Sequence, residues 1–290
     1  MNFSILIATY FNSDYLKNCI DSILKNSYFK KHQILVHVNG NDHKAIEILK
    51  KKKIFYKNSI TNLGLCKSIN FISNFAKHDF LLYAHDDMYF LPYWDYYLYE
   101  EVKNFKHNKF YLSSTQISPN LLPKNSLSQH ISANFGETLD NFKEKLLLEN
   151  FNNFNFYDLQ GSHWAPHLIH KDIWNEVGGF SEEFNLGDGS DPDLAFKLWN
   201  NGIRIFKMVS KSRVYHFGSL TTRKSSKIKK NNGSKTFLLK WGISVKLFTR
   251  HFLRRGEIYN GPLNKVNINL NYIFEFLKSK IKFFYFKLNA

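Results

Sequence analysis

The residues best suited to chemistry sit where an apolar run stops. Phe80-Leu-Leu-Tyr-Ala84 carries no charge and gives way at once to His85-Asp86-Asp87. A short apolar run bounded in this way reads as a buried strand. In open α/β sheets, ligands sit beyond the carboxyl ends of such strands. Two adjacent carboxylates repel each other, so they call for positive charge beside them. A hard divalent cation shared with a phosphate supplies it, which implies an enzyme that handles a phosphorylated donor.

A second acidic cluster is Gly187-Asp-Gly-Ser-Asp-Pro-Asp-Leu194. Ser190 or Asp191 ahead of Pro192 predicts a helix N-cap with proline in the first turn. A carboxylate there is held in place and kept ionised, so it can take a proton from a hydroxyl. His163, Trp164 and Trp174 add aromatic surface of the kind that stacks on sugars; His163 and Trp164 are expected at an acceptor site, and Trp174 in the core.

The elements that must carry these groups alternate. Ile5–Ala8 reads as a strand, and Leu16, Cys19, Ile20, Ile23 and Leu24 mark one face of a helix capped by Ser13 or Asp14. Ile34–Val38 is a second strand ended by Asn39-Gly40, a strong turn dipeptide. A helix over Lys44–Lys52 and a brief strand Ile54–Tyr56 come next. Asn62-Leu-Gly64 then opens a helix carrying Ile69, Ile72 and Phe75, ahead of the strand Phe80–Ala84. This order predicts an α/β fold with a mostly parallel sheet and helices on both faces. The segment 110–160 reads as a loop region with a helix over Thr138–Asn150. A helix Asp193–Asn200 and strands Arg204–Val209 and Arg213–Phe217 come after it. Past Gly218 a basic run reads as mobile, and two helical patterns close the chain, Thr236–Arg255 and Leu270–Leu288.

Composition narrows the class. The 290 residues are 43% hydrophobic, with 28 Phe and 16 Tyr, ample for a core. Cys19 and Cys66 form no metal or disulfide pattern, which suits a reducing compartment. The N-terminus reads as a strand rather than a leader, and no window is apolar enough to span a bilayer. The expected location is cytoplasmic, peripheral on the inner face of the cytoplasmic membrane. From residue 219 onward sixteen Lys and Arg stand against Glu257 and Glu275, a net +14. The remaining 218 residues hold 24 basic and 22 acidic side chains, so the body is nearly neutral. That argues against a nucleic-acid partner, which would need basic residues on a face of the body. Basic amphipathic helices instead suit an anionic membrane surface.

Several of these segments together resemble family 2 glycosyltransferases, over roughly residues 3–218. The resemblance implies the nucleotide-sugar-binding GT-A fold over 1–218, with 219–290 as a basic helical extension. Ile5-Leu-Ile-Ala-Thr-Tyr10 is similar to the family's first strand and turn, which makes Thr9 and Tyr10 nucleotide contacts; Ala8 and Phe11 depart from the pattern. Val36-His-Val-Asn-Gly40 resembles the second-strand motif with Val38 in place of an Asp, leaving Asn39 toward the base or ribose. Asn62-Leu-Gly-Leu-Cys-Lys67 resembles the Asn-x-Gly segment and brings Asn62, Gly64 and Lys67 to the donor phosphates. His85-Asp-Asp87 aligns with the metal-binding D-x-D, implying Asp87, with His85, as ligand of Mn²⁺ or Mg²⁺ and Asp86 as a ribose contact. The family's catalytic base falls on Asp191, with Ser190 where a Glu is usual and Asp193 toward structure or the acceptor. Tyr215-His216-Phe-Gly resembles the late His-x-Gly segment, adding His216 to the metal or diphosphate site. The activity implied is transfer of a sugar from a nucleotide-diphospho-sugar to a glycan or lipid-linked acceptor, with inversion, in cell-surface polysaccharide or lipopolysaccharide synthesis. The competing readings are a retaining transferase and a non-catalytic carbohydrate- or membrane-binding protein on the same fold.

Overall fold

A computed structural model of the protein describes residues 1–119, 130–218, 232–266 and 268–289. Its first half alternates as expected: β1 (Ser4–Tyr10), α1 (Ser13–Asn26), β2 (Gln33–Asn39), α2 (His43–Lys51), β3 (Phe55–Asn58), α3 (Leu65–Ser73) and β4 (Phe80–His85). These strands pair in parallel, with Ala8 beside His85 and Tyr10 beside Asn39. The carboxyl ends of β1, β2 and β4 therefore share one edge. β1, β2 and β4 are buried under packed helices, which is why the sequence shows continuous apolar runs there rather than alternation, whereas the edge strand β3 stays largely exposed.

The second half departs from a purely parallel sheet. Its elements are β5 (Met88–Phe90), α4 (Trp94–Asn104), β6 (Tyr111–Ser118), β7 (His130–Ser132), α5 (Glu144–Asn150), β8 (Leu159–Gln160), β9 (His167–His170), α6 (Lys171–Glu176), α7 (Ser190–Asn200) and β10 (Phe206–His216). The order across the sheet is β3-β2-β1-β4-β9-β6-β10-β5, with β7 on β6 and β8 on β10. β9 runs antiparallel between β4 and β6, and β5 runs antiparallel to β10. The two strands expected over 204–217 are one strand, whose register against β6 shifts between Val209 and Arg213; a bulge absorbs the intervening residues. The helix expected over Thr138–Asn150 is a 3-10 turn, Leu139–Asn141, followed by α5.

The C-terminal pattern also resolves differently. The expected helix Thr236–Arg255 is α8 (Gly233–Trp241), stopped by Gly242 at φ 70°. Ser244 then caps a short helix, α9 (Val245–Leu247), that runs into a π-helical turn at Phe248–Phe252. α10 (Leu270–Leu288) ends the chain as expected. Phe237, Leu247, Phe248, Leu253 and Leu263 belong to the same hydrophobic core as the sheet strands. The ring of Phe196 on α7 lies 4.7 Å from Trp241 and 4.8 Å from Phe248. The basic run 219–231, expected to be mobile, and residues 120–129 of the expected loop lie outside the described residues.

Candidate active site

The metal-binding candidates meet at the end of β4. Asp86 and Asp87 form the turn between β4 and β5. Because β5 pairs antiparallel with the end of β10, Met88 faces His216, and the Phe217 amide donates to the Asp87 carbonyl at 3.2 Å. His216 Nε2 thereby sits 3.1 Å from Asp87 Oδ1, while His85 Nδ1 lies 4.0 Å from the same oxygen. One ligand atom from each of His85, Asp87 and His216 falls within 4.8 Å of the others. The sequence brought these residues together only by resemblance; the β5–β10 pairing is what joins them.

The set fits a divalent cation, and its surroundings favour one. Burial, together with neighbouring His216, pushes the His85 imidazole down to about 4, so it is neutral and offers a lone pair. His216 Nδ1 lies 3.1 Å from Gln116 Oε1, and an N–H donated there leaves Nε2 as the lone-pair nitrogen facing Asp87. Gln116 is itself anchored, its amide donating to the Ala165 carbonyl. Metal-bound histidines are commonly oriented by such a partner. Sequence reasoning missed Gln116, and no local motif marks it. Two imidazoles and a carboxylate suit Mn²⁺ better than Mg²⁺, which prefers oxygen.

Asp86 is buried and accepts a 2.7 Å hydrogen bond from Thr9 Oγ1. Burial, with the adjacent Asp87 charge, pushes its carboxyl up to about 7. Thr9 thus reaches the site by holding Asp86. Tyr10 and Phe11 pack edge to face at 4.9 Å, and a Cβ on Gly40 would fall 2.7 Å from the Tyr10 ring. Phe11 is 63% exposed at φ 47°, an apolar face beside the strand ends.

Asp191 occupies the first turn of α7, but it is not the cap. Gly189, at φ 84°, holds the N-cap position, and Ser190 Oγ donates to the Gly187 carbonyl at 2.8 Å. A glycine takes this left-handed conformation without the penalty a side chain would incur. Against the helix end, which favours the ionised form, burial pushes the Asp191 carboxyl up to about 7. A helix dipole contributes roughly 0.3–1 kcal/mol, whereas a shift of this size corresponds to about 4 kcal/mol. Desolvation wins. Among the described residues Asp191 Oδ1 has no hydrogen-bond partner, and the same holds for the hydroxyls of Tyr83 and Tyr111 and both ring nitrogens of His167. Tyr83 pairs with His167 across β4 and β9, and its ring lies 5.4 Å from that of His85. Burial, then the Asp191 charge, raises the phenols of Tyr83 and Tyr111. Tyr83 therefore lies beside His85 and within the electrostatic reach of the candidate base.

The remaining candidates divide into supports and surface. Asn39 Oδ1 accepts from the Leu63 amide at 2.9 Å and from Ser68 Oγ at 3.1 Å, tying β2 to the start of α3. Asn62 Oδ1 accepts from the Gly64 amide at 2.9 Å. Gly64 has φ 81°, and a Cβ there would lie 1.6 Å from Asn185 Oδ1. Lys67 is half exposed, 3.6 Å from Glu182. His163 is buried with Nδ1 2.9 Å from the Gly161 carbonyl, while Trp164 is 36% exposed beside it, the Arg255 guanidinium 5.6 Å from its ring. Trp174 is core, its indole N–H donating to Ser73 Oγ. Asp193 does not open toward an acceptor. It is fully buried, accepting from Trp241 Nε1 at 2.8 Å and pairing with Lys240 at 3.0 Å. Its carboxylate fastens α8 to α7.

Comparison with known proteins agrees with this geometry. The S. aureus protein TarS, as a 1–349 fragment in complex with UDP, superposes with a TM-score of 0.54 at 16% identity over 74% of this chain. GalNAc-T7, with UDP, GalNAc and Mn²⁺, superposes with a TM-score of 0.58 at 14% identity over 87% of this chain. The chain spans 60% of the TarS fragment's length and 50% of the GalNAc-T7 chain's. No curated protein matches by sequence. These likenesses identify the fold as GT-A, with a mixed sheet that is parallel through β1–β4 and again where β6 meets β10 and β7. The sequence profile of glycosyl transferase family 2 matches residues 4–172, more than half the chain, and takes in His85, Asp86 and Asp87; Asp191 and His216 lie beyond it. The motifs, the sheet order and this match agree, and the chain belongs to glycosyl transferase family 2.

Proposed function

We propose that the protein transfers a sugar from a nucleotide-diphospho-sugar to an acceptor hydroxyl with inversion at the anomeric carbon. The observation that supports this most is the placing of His85, Asp87 and His216 around one point at the strand ends. Those three residues would hold a divalent cation, which would supply positive charge against the diphosphate. Asp191 takes the proton from the acceptor hydroxyl as its oxygen forms the bond to the anomeric carbon. The bond from that carbon to the phosphate oxygen breaks on the opposite face, and the electron pair leaves with the nucleoside diphosphate. An acid poised near pH 7 suits a general base, since it is part-ionised and still basic enough to matter. Asp86 and Thr9 form the wall toward the ribose, and Lys67 and Gly64 that toward the phosphates. A glycan or lipid-linked acceptor, as in cell-surface polysaccharide or lipopolysaccharide synthesis, fits the half-exposed Trp164 at the rim.

The test is the melting temperature with UDP, GDP, dTDP or CMP, each with and without Mn²⁺, for the native protein and Asp87→Ala. A ligand that binds the folded state raises the melting temperature by mass action. The expected result is a Mn²⁺-dependent rise with one diphosphate, lost in the variant. No rise with any nucleotide would overturn the donor assignment. Once a donor is known, a product whose anomeric configuration is retained would overturn inversion.

A further inference from the structure

α10 carries two apolar faces, and one of them packs on the described body. On that side, Ser279 Oγ bonds Ser244 Oγ, Tyr272 packs edge-on against His251, and the buried Glu275 is held by Lys246 at 2.9 Å and Arg250 at 2.8 Å. On the other side Phe274, Leu277, Ile281, Phe284, Tyr285 and Leu288 are each between 55% and 84% exposed. Their spacings of three and four residues set them in one stripe along the helix. By helical geometry Lys278 and Lys282 border the stripe on one flank, with Lys280 and Lys287 on the other. A stripe this long is unusual on a solvent-facing surface and marks an interaction face.

The charge decides what covers it. From residue 219 to the C-terminus the only acids are Glu257 and Glu275. Glu257 is paired with Arg254, and Glu275 faces inward. A second copy of the chain would bring its own lysine rows against these, like charge on like. An anionic bilayer accepts both parts of the face, the aromatic and aliphatic stripe in the acyl boundary and the lysines among the headgroups. No helix among the described residues is long and apolar enough to cross a membrane, so the contact is one of lying on the surface. The earlier pattern Thr236–Arg255, also basic in the sequence, does not qualify, because its apolar side chains Phe237, Leu247 and Phe248 are buried in the core.

We infer that α10 docks the protein flat on an anionic phospholipid bilayer through its outward stripe, Phe274 to Leu288. Binding is independent of sugar transfer, so its test reads vesicles rather than turnover. The full-length protein is sedimented with vesicles of phosphatidylcholine alone or mixed with phosphatidylglycerol. Two double variants are compared, Ile281→Ser with Phe284→Ser, and Lys278→Glu with Lys282→Glu; Lys50→Glu with Lys51→Glu on α2 is the control. All these side chains are outward, so each variant should keep the native melting temperature. The expected result is affinity at least about tenfold higher for the anionic vesicles, lost by about tenfold or more in both α10 variants and kept in the control; each lysine near such a surface contributes roughly 1 kcal/mol. Equal binding by native protein and α10 variants, or no binding to anionic vesicles, would overturn the proposal. So would a concentration-dependent dimer that only Ile281→Ser with Phe284→Ser dissolves, because the occupant would then be a second copy.

Discussion

At the level of single residues, the site depends on which protonation state each group is held in. Gln116 fixes the His216 tautomer that faces Asp87. Gln116→Leu should weaken Mn²⁺ binding about 10–100-fold, the usual effect of losing such a partner, as read by calorimetric titration with Mn²⁺ alone. Asp191 makes a sharper prediction, because burial raises its carboxyl from 3.8 to about 7. As a base it must be ionised, so kcat/KM should climb with pH and level off above about 7. Asp191→Asn should lower kcat by about 10²–10⁴. Stability moves the other way. The folded state holds the Asp191 proton more tightly than the unfolded state, so this group costs stability as pH rises from about 4 to about 7. Asp191→Asn should therefore melt higher than the native protein at pH 8 and close to it at pH 4. A variant that melted lower at pH 8 would show Asp191 to be a structural anchor. None of these states was legible in the sequence, since a pKa depends on neighbours that the fold supplies.

Among the elements, two junctions position the site. The first is the loop into α3, where Asn62, Asn39 and Gly64 interlock beneath Asn185. Gly64→Ala combines a left-handed backbone with a clash against Asn185. It should cost about 1–3 kcal/mol, measurable as a lower urea midpoint with an unchanged slope. The second junction is Asp193 with Trp241 and Lys240. Trp241→Phe removes one donor to a buried carboxylate and should cost about 1.5–3 kcal/mol on the same measurement. The sequence marked α7 and the first half of the sheet correctly because their periodicities are local. It left Asp193 between a structural and an acceptor role because the partners that bury it are distant in the chain, Trp241 being 48 residues away.

For the molecule as a whole, the C-terminal extension is part of the core of the catalytic unit. Phe237, Leu247, Phe248, Leu253 and Leu263 pack into the main core, and α8 covers Phe196. Each such side chain contributes about 1.5–3 kcal/mol by burial, while a domain's net stability is only about 5–15 kcal/mol. A chain ending at Gly218 should thus be insoluble or lack a cooperative melting transition. A chain ending at Val266, which keeps α8 and α9 but lacks α10, should melt cooperatively and no longer sediment with anionic vesicles. A soluble, cooperatively folding 1–218 fragment would show the extension to be an accessory rather than part of the core.

The α/β order, the turn of acids after β4 and the family were all legible along the chain, because apolar periodicity, turn dipeptides and motif spacing are properties of sequence neighbours. So was the location of the positive charge. The meeting of His216 with Asp87 was legible only through the family resemblance, since physically it takes an antiparallel β5–β10 pairing to join residues so far apart. The upward shift of the Asp191 carboxyl was not legible, the sequence having presented it as a helix-end carboxylate kept ionised. Packing also separated the two basic helical patterns, which look alike as strings: one spends its apolar face on the core, the other keeps a second face outward. Periodicity reveals that a helix has an apolar side; only packing reveals which side is already covered.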